Sequence, residues 1–335
     1  MIRCDTLTKR YGELVAVDHL TFDVEPGTIL GFLGPNGAGK STTMKMITGF
    51  LEPDGGRVQV AGIDVARRPR EAKRQMGYLP EGAPSYGEMT TLEFLEFVAA
   101  VRGLKGRHGR ERLEDTIERL NLGAVLEQPI DTLSKGFRRR VGLAQAIVHD
   151  PQVMILDEPT DGLDPNQKHE VRDLINTMAK DKIIVISTHI LEEVHAVCNR
   201  AIVIAHGRLV ADATPSELER RAPRHNAVTV RLPPDQDTDA LATLRAALMN
   251  LPAVAEVFEE PPIAEAGRGP GLTALPKDAQ VILPSIINAL RGHTVAINDI
   301  EVHRGRLDEV FREITRTPGT TSTASHADAS RREAA

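Results

Sequence analysis

Residues 34–41 have the residue types and the spacing of a phosphate-binding loop. Their order, Gly-Pro-Asn-Gly-Ala-Gly-Lys-Ser, matches the pattern G-x-x-x-x-G-K-[ST] at every position. In such a loop the glycines let backbone N–H groups turn toward phosphate oxygens, while Lys40 reaches the terminal phosphates and Ser41 binds Mg²⁺. An incidental glycine-rich turn would not need the β-prone run before it or the helical pattern after it. The predicted nucleotide-binding residues are Gly34, Pro35, Asn36, Gly37, Ala38, Gly39, Lys40, Ser41 and Thr42.

The acidic pair Asp157–Glu158 is a second group with chemical potential. It follows the apolar run Val153–Leu156, so a strand ending there would present Asp157 at the carboxyl edge of a sheet, next to the phosphate loop. At that position Asp157 can hold Mg²⁺ through water, and Glu158 can orient and deprotonate an attacking water. Such a pair is also compatible with the charged start of a helix. Combined with the upstream loop, it predicts the acidic half of a nucleotidase site.

The elements that must position these residues follow an α/β pattern up to about Arg220. Short β-branched runs alternate with helical patterns, which predicts an α/β domain with a largely parallel sheet over residues 1–220. Residues Thr90–Asp150 show no strand pattern and carry apolar residues at helical spacing, so a helical insertion is expected over about 85–150. The strand candidates are Gly27–Leu33, Arg57–Ala61, Gln75–Leu79, Val153–Asp157, Ile183–Ser187 and Ala201–Ala205.

A second unit is predicted over residues 226–315. Its order of elements is strand, helix, strand, strand, helix, strand, which suits a small α+β domain of the ferredoxin-like type. The tail 317–335 is rich in Ser, Thr and Ala and lacks large apolar residues, so we expect it to be disordered. The expected elements are Ala227–Leu232, Asp239–Asn250, Val254–Glu259, Gly271–Leu275, Ala279–Arg291 and Thr294–Val302.

Composition limits the class of protein. The chain has 335 residues, a net charge of -6 and a sequence pI near 6.0, which gives no electrostatic reason to expect a nucleic-acid partner. No apolar run approaches the ~20 residues that cross a bilayer, and no secretory signal is visible. Cys4 and Cys198 cannot form a disulfide framework and are expected to be buried small residues in a reducing compartment. We therefore expect a cytoplasmic protein.

Four further short segments occur in an order that is more specific than any one of them. They are the Tyr11-Gly12 pair, the run Leu-Ser-Lys-Gly-Phe at 133–137, Asp-Gly-Leu-Asp at 161–164, and Ser-Thr-His at 187–189. Together with the phosphate loop and the acidic pair, they make residues 1–220 resemble the ATP-binding subunits of ABC (ATP-binding-cassette) transporters. In that resemblance they correspond to the adenine-stacking aromatic, the signature loop, the D-loop and the switch histidine.

The resemblance implies an ATPase that works as a head-to-tail homodimer around two ATP molecules. Ser134 and Gly136 of one copy would complete the γ-phosphate site of the other, at a helix N-terminus suited to anions. His189 would contact the γ-phosphate and hold the attacking water with Glu158, and Asp164 would link the two sites. Tyr11 would stack on adenine: a tyrosine taken alone is more typical of a packing aromatic, but its position in the motif order favours stacking. The implied partner is an integral membrane permease, reached from the cytoplasmic face.

Two positions depart from the family pattern. Glu81 stands where Gln is usual, so a carboxylate that can still bind Mg²⁺ adds negative charge near the phosphates; a solvated loop charge is the alternative. Lys135 and Phe137 replace the usual Gly and Gln of the signature loop, while the Ser and Gly that touch phosphate are retained. With the added C-terminal unit, these features look most like the cassettes of drug, polysaccharide and gliding-motility exporters. The C-terminal unit is interpreted as regulatory or dimer-stabilising.

A non-transport ABC-type ATPase is the alternative function. Members that act in translation usually carry two cassettes, whereas this chain has one phosphate loop, and repair-type members split the cassette with a long coiled coil that the 90–150 segment is too short to form. A nucleotide-binding scaffold without turnover is opposed by the joint presence of Lys40, Asp157, Glu158 and His189. The sequence therefore favours a transport ATPase.

Overall fold

The computed structural model describes residues 1–83, 85–188, 190–234, 238–262, 268–291, 296–303 and Val310. Two predictions, the switch histidine His189 and the disordered tail 317–335, lie outside these residues. None of the described helices is both long and apolar enough to cross a bilayer.

A six-stranded sheet carries the phosphate loop and the acidic pair. Five of its strands are parallel, and one edge strand runs antiparallel to its neighbour. Three central strands are buried at every position, as expected for a parallel sheet covered on both faces, which is why they read as continuous apolar runs. In spatial order the strands are β10 (Arg208–Ala213), β9 (Arg200–Ala205), β3 (Ile29–Leu33), β8 (Ile183–Ser187), β7 (Val153–Asp157) and β6 (Met76–Leu79).

A second, antiparallel sheet corrects the sequence-based prediction. The run predicted at Arg57–Ala61 belongs to this separate sheet rather than to a parallel one, and its two longest strands were not predicted. The hairpin between them escapes pattern reasoning because its register shifts three times, so apolar residues do not alternate regularly. In spatial order the strands are β2 (Leu14–Val24), β1 (Ile2–Tyr11), β4 (Gly55–Val60) and β5 (Ile63–Asp64).

Helices cover the six-stranded sheet, and several begin at sequence-encoded caps. Thr90, Asp164 and Thr214 each form a capping box with the Glu or Gln three residues later. The described residues between 85 and 150 contain helices and no strand beyond one isolated bridge. The helices are α1 (Lys40–Ile47), α2 (Pro69–Arg74), α3 (Thr91–Val101), α4 (Gly106–Arg119), α5 (Lys135–Ile147), α6 (Pro165–Met178), α7 (Leu191–Val197) and α8 (Pro215–Glu219).

Two apolar cores lie on opposite faces of the six-stranded sheet, and alternate residues of β3 show the division. Ile29 and Leu33 join the helical layer that includes Phe94 of α3. Leu30 and Phe32 instead join a cluster with α1 and the antiparallel sheet. The phosphate loop therefore begins from a strand fixed on both faces.

The C-terminal residues form a third, separate core beneath a four-stranded antiparallel sheet. The helix predicted to begin at Ala279 begins at Leu283 instead, because Asp278 and Ala279 have positive φ values that end a 3₁₀ turn. The last described strand begins at Asp299, later than predicted. The elements are β11 (Val228–Arg231), α9 (Thr238–Met249), β12 (Val254–Glu260), β13 (Gly271–Pro276), α10 (Leu283–Leu290) and β14 (Asp299–Val302), in the sheet order β12-β13-β11-β14.

Candidate active site

The phosphate loop joins β3 to α1 and depends on two glycines for its path. Gly39 has φ +103°, and a Cβ there would lie 2.4 Å from the Ala16 carbonyl oxygen. At Gly34 a Cβ would lie 2.5 Å from the Ile204 carbonyl oxygen. Both contacts are with backbone, which cannot move aside, so only glycine fits at either position.

The loop exposes its tip and buries its base. Pro35, Asn36 and Gly37 are exposed, Ala38 to Lys40 are buried, and Ser41 and Thr42 are half-buried in the first turn of α1. That turn carries no acidic side chain, so the positive end of the helix is not neutralised from within. The loop therefore presents a helix N-terminus that can accept an anion.

Lys40 forms hydrogen bonds with the backbone of the loop itself. Its Nζ donates to the carbonyl oxygens of Gly34 at 2.5 Å and Pro35 at 3.2 Å. Burial lowers the pKa of Lys40, and the negative charges of Glu158, Asp157 and Glu81 act against that shift. The lysine predicted from the sequence is thus close to all three predicted carboxylates.

Asp157 ends strand β7 with its side chain almost fully buried, at 3% exposure. Burial raises the pKa of Asp157, and the charge of Glu81 raises it further, while a hydrogen bond with the Ser187 side chain and the cations Arg139 and Lys40 lower it. A buried carboxylate that is only partly compensated favours a cation beside it. This environment suits the predicted metal ligand.

Glu158 follows in a conformation that is uncommon for a residue with a side chain. Its φ is +51°, and its backbone N–H donates to the Ser187 carbonyl oxygen at 2.9 Å. A left-handed non-glycine residue costs about 1–2 kcal/mol, and such strain persists where the surroundings fix it. Glu158 lies in a bend directly after the buried Asp157, and the next helix begins only at Pro165, so Glu158 is not in the first turn of a helix.

Glu81 lies two residues beyond β6 and is exposed. Its charge raises the pKa of Asp157 and acts on Lys40, which puts it in electrostatic range of the site. The same charges act on Tyr78: burial and the negative charges of Asp157 and Glu81 together raise its pKa to about 12. Glu81 is therefore a solvated loop residue that also contributes to the field of the site.

Arg139 is a site residue that sequence reasoning missed. It lies on α5, is 5% exposed, and donates from Nη2 to the carbonyl oxygens of Asp157 and Glu158. Its Nη1 donates to the Pro80 carbonyl oxygen at 3.3 Å. The run Arg138-Arg139-Arg140 was the available signal, since three successive helical positions span about 200° of the helix circumference, more than half of it.

The signature-like and D-loop-like segments lie against each other within the chain. Ser134 caps α5 by accepting from the Phe137 N–H at 3.3 Å, and Asp164 caps α6 by accepting from the Gln167 N–H at 2.9 Å. Lys135 Nζ pairs with Asp161 at 2.9 Å. A Cβ on Gly136 would lie 2.8 Å from the Gln167 Oε1. The predicted residues Ser134 and Asp164 are exposed, so both can meet another molecule.

A buried carboxylate that sequence reasoning also missed organises the region next to His189. Glu193, on α7, is 5% exposed and accepts hydrogen bonds from Thr160 Oγ1 at 2.6 Å and Thr188 Oγ1 at 3.2 Å. Lys168 of α6 pairs with it at 3.2 Å. The carboxylate thus connects the segment after Glu158 with the residue before His189.

Tyr11 and the two cysteines are the remaining residues for which the sequence made a prediction. Tyr11 is 50% exposed at the end of β1, with Lys9 Nζ 6.0 Å from its ring centroid, and it belongs to no apolar core. It is therefore not a packing aromatic, and stacking on adenine stays a prediction. Cys4 and Cys198 are buried as expected, and burial raises the pKa of the Cys198 thiol to about 12.

Comparison with known proteins identifies the family. The family model described as "ABC transporter" matches residues 17–161. The chain is 38% identical over 218 residues to Nod factor export ATP-binding protein I of Paraburkholderia xenovorans (strain LB400), covering 65% of this chain and 72% of that protein. It is 33% identical over 319 residues to daunorubicin resistance ATP-binding protein DrrA2 of Streptomyces coeruleorubidus, covering 94% of each.

Solved structures agree with this relationship. An ATP-binding subunit of an ABC transporter superposes with a TM-score of 0.62 at 32% identity, covering 66% of this chain and 92% of that one. A dimeric bacterial ABC transporter cassette superposes with a TM-score of 0.60 at 23% identity, covering 64% of this chain and 99% of that one, and supports the fold. The chain therefore belongs to the ABC transporter family, as one of its ATP-binding, ATP-hydrolysing proteins.

Proposed function

We propose that this ATPase drives export through a separately encoded membrane permease, with the phosphate loop, Asp157 and Glu158 as its hydrolytic centre. The observation that carries the proposal is the convergence of Lys40 with Glu158, Asp157 and Glu81 at the carboxyl edge of one sheet. The relatives named above support export, because they are described as export and drug-resistance proteins. Transport is favoured over a translation or repair role for the same reason.

Mg²⁺ fits this site as the companion of ATP. Asp157 is buried and its pKa is raised by burial and by the neighbouring charge of Glu81, which is the environment that a divalent cation relieves. Ser41 would bind the ion directly, with Asp157 and Glu81 as its acidic partners. No three Asp, Glu, His or Cys side chains converge on a metal site in the described part of the chain, so phosphate oxygens and water would supply the other ligands. When bound, Mg²⁺ neutralises charge on the β- and γ-phosphates.

In the proposed mechanism the residues of this chain bind, orient and accept a proton. Backbone N–H groups of residues 34–42 hold the phosphates, and Lys40 transfers its hydrogen bonds from the loop carbonyls to the terminal phosphates. Glu158 accepts a proton from the attacking water, whose oxygen bonds to the γ-phosphorus as the bond to ADP breaks. His189 is proposed to contact the γ-phosphate and to hold the same water.

The active form is proposed to be a homodimer with its two copies head to tail. Exposure of Ser134 and Asp164 on adjacent segments supports this, because both can then face the second copy. Ser134 and the N–H of Gly136 would complete the γ-phosphate site there, Asp164 would link the sites, and Tyr11 would stack on adenine. ATP stabilises the closed dimer because it makes contacts that the open form lacks.

A groove on the cassette supports the permease as partner. Exposed Phe50, Phe97 and Val101 line it, and its volume is about 800 Å³. Tyr78 and Pro80 also line it, and Pro80 directly precedes Glu81 in the sequence. The basic residues along it are Lys45, Arg70, Lys73, Arg74 and Arg102. We propose that a permease segment with apolar and acidic residues binds here, placing the protein on the cytoplasmic face of the membrane.

Residues 1–220 are proposed to be the cassette, with its helical part over about 85–150, and 226–315 a ferredoxin-like accessory domain. The strand order β12-β13-β11-β14 and the all-antiparallel pairing support that assignment. The DrrA2 relative aligns over 94% of this chain, so it shares this region. We assign the accessory domain a regulatory or dimer-stabilising role.

Glu158→Gln tests the hydrolytic centre. The substitution should lower turnover ~10²-fold or more, the scale of a lost general base, while ATP still binds. Lys40→Ala should instead weaken binding itself. Turnover of Glu158→Gln within twofold of wild type would refute Glu158 as the base, and unchanged ATP affinity in Lys40→Ala would refute the phosphate site.

Co-purification tests the partner. Tagged Glu158→Gln protein, held with Mg-ATP and solubilised from its own membranes, should bring down a polytopic membrane protein in near-equal amount. Adding Arg74→Glu should weaken that recovery, whereas Arg110→Glu, an exposed arginine on α4, should not. Recovery of ribosomal or DNA-repair proteins instead would indicate that this ATPase has a function other than transport.

A further inference from the structure

Arg139 contacts three backbone carbonyls that belong to two different catalytic segments. Two of the carbonyls, those of Asp157 and Glu158, lie at the end of β7, and the third, that of Pro80, directly precedes Glu81. The charges of Asp161, Asp157, Glu158 and Glu81 all favour its cation, while burial disfavours it. An arginine in this position fixes main chain rather than forming an ordinary ion pair.

The geometry of the guanidinium explains why arginine occupies this position. Its N–H groups form a rigid planar fork, so one side chain can donate to several carbonyls at once, which the single ammonium of lysine cannot reproduce. The neighbouring Arg140 has similar burial, 7%, but faces elsewhere and pairs with Glu170 at 3.0 Å. The two adjacent arginines therefore have different partners: Arg139 binds backbone carbonyls at the site, and Arg140 forms an ion pair with Glu170.

Arg139 also holds Glu158 in its left-handed conformation. The Glu158 N–H is fixed by the Ser187 carbonyl, and the Glu158 carbonyl accepts from Arg139 and from the Asp161 N–H at 3.1 Å. With both flanking peptides fixed, the direction in which the Glu158 side chain leaves the backbone is fixed as well. Removing Arg139 takes one hydrogen bond from each of these two peptides, and leaves the Glu158 carbonyl with the Asp161 N–H alone.

We infer that Arg139 is a positioning residue, which aims Glu158 at the attacking water and ties it to the helix that starts at the signature loop. Ser134 caps that helix five residues earlier, so one rigid element joins a catalytic glutamate to the surface offered to the second copy. The inference rests on the proposed function, because it needs Glu158 as the base. Arg139 itself touches no substrate.

The test separates positioning from stability and from binding. Arg139→Met should lower kcat about tenfold or more, because misplacement of a catalytic group by ~1 Å can cost up to 10² in rate. KM for ATP and the affinity for a fluorescent ATP analogue should stay within about threefold, because the loop is untouched. Arg140→Met is the matched control and should keep kcat within about twofold, whatever it does to Tm. Arg139→Lys keeps the positive charge but not the planar guanidinium, and it should still show a clear loss of kcat. This variant replaces Arg139→Met in the test if Arg139→Met does not fold.

A double-mutant cycle with Glu158→Gln decides the mechanism. If Arg139 acts through Glu158, adding Arg139→Met to Glu158→Gln should change the residual rate by less than about twofold. A further tenfold fall, or an Arg139→Lys variant with wild-type kcat, would overturn the inference. If the wild-type chain hydrolyses no ATP, or if Glu158→Gln is as fast as wild type, the proposed function fails first, independently of Arg139.

Discussion

Replacing Glu193 with Gln is expected to lower the free energy of unfolding by about 3 kcal/mol, although the two side chains have nearly the same shape. The carboxylate is 5% exposed and receives hydrogen bonds from the hydroxyls of Thr160 and Thr188. Lys168 and, at 3.9 Å, Arg172 supply the positive charge that compensates it. The amide keeps the volume and one acceptor oxygen but loses the charge.

The magnitude follows from these contacts. A hydrogen bond to a charged acceptor contributes about 1.5–3 kcal/mol and a neutral one about 0.5–1.5, so each threonine contact weakens by about 1 kcal/mol. Loss of the pair with Lys168, whose side chain is 27% exposed, adds about 1 kcal/mol. For a protein of 335 residues, at about 2.1 cal/mol/K of unfolding entropy per residue, a change of about 3 kcal/mol corresponds to a fall in Tm of about 4 °C.

Scanning calorimetry of the nucleotide-free protein at pH 7 measures the effect. Glu192→Gln is the matched control, because Glu192 lies next to Glu193 on α7 but is exposed, and it should change the free energy of unfolding by less than about 0.5 kcal/mol. If Glu193→Gln and Glu192→Gln unfold within 2 °C of each other, the buried network between Thr160 and Thr188 does not stabilise the fold, and the reasoning is refuted.

Three further predictions concern the phosphate loop, the acidic pair and a buried histidine. Gly39→Ala should abolish ATP binding in a direct titration, because the new Cβ meets the Ala16 carbonyl, whereas Gly62→Ala, also at positive φ but with nothing within 4 Å, should bind normally. Burial raises the pKa of Asp157, so ionisation of this side chain destabilises the folded protein as pH rises through that pKa. Asp157→Asn should therefore raise the Tm measured without nucleotide and reduce the gain in Tm that Mg-ATP produces. A lower Tm without nucleotide would contradict this. Burial lowers the pKa of His149 to about 4, whereas the same imidazole in the unfolded chain is protonated below about pH 6.5. The free energy of unfolding in urea should therefore fall as the pH is lowered from 6.5 to 4. His149→Gln should remove this contribution to the pH dependence.

The parts of the fold that sequence analysis predicted are those with strong local patterns. The strands β3, β7 and β8 are continuous apolar runs buried on both faces, so their identity was clear within two residues. The hairpin of β1 and β2 was missed because its bulges and polar residues break the alternation on which strand prediction depends. At Asp278 and Ala279, positive φ values delayed a helix start that composition alone places earlier.

The candidate site divides in the same way. The proximity of Lys40 to Asp157 and Glu158 was predictable, because the phosphate loop and the acidic pair each follow the carboxyl end of a strand in one parallel sheet. Their roles in catalysis stay predictions. Arg139 and Glu193 were harder to predict, because their partners are backbone carbonyls and hydroxyls brought together by tertiary packing. For Arg139 the run of three arginines was a weak signal, and a lone glutamate on a helix usually indicates a solvated face. Side chains that position catalytic groups therefore leave weaker sequence signals than the groups themselves.

The helical segment α3–α5 leaves the six-stranded sheet at Leu79 and returns at Val153, and the strands on either side of it are direct neighbours in that sheet. Its two ends are thus held together by β6 and β7, whatever lies between them. Because the entropy of closing a loop grows only slowly with its length, insertions in the exposed connections of this segment should be tolerated easily. The start of α5 is different, since Arg139 docks there on the catalytic strand. In a chimaera, the helical segment could be exchanged for that of a relative of different length, provided that the exchanged piece keeps an arginine able to reach the carbonyls of Asp157 and Glu158.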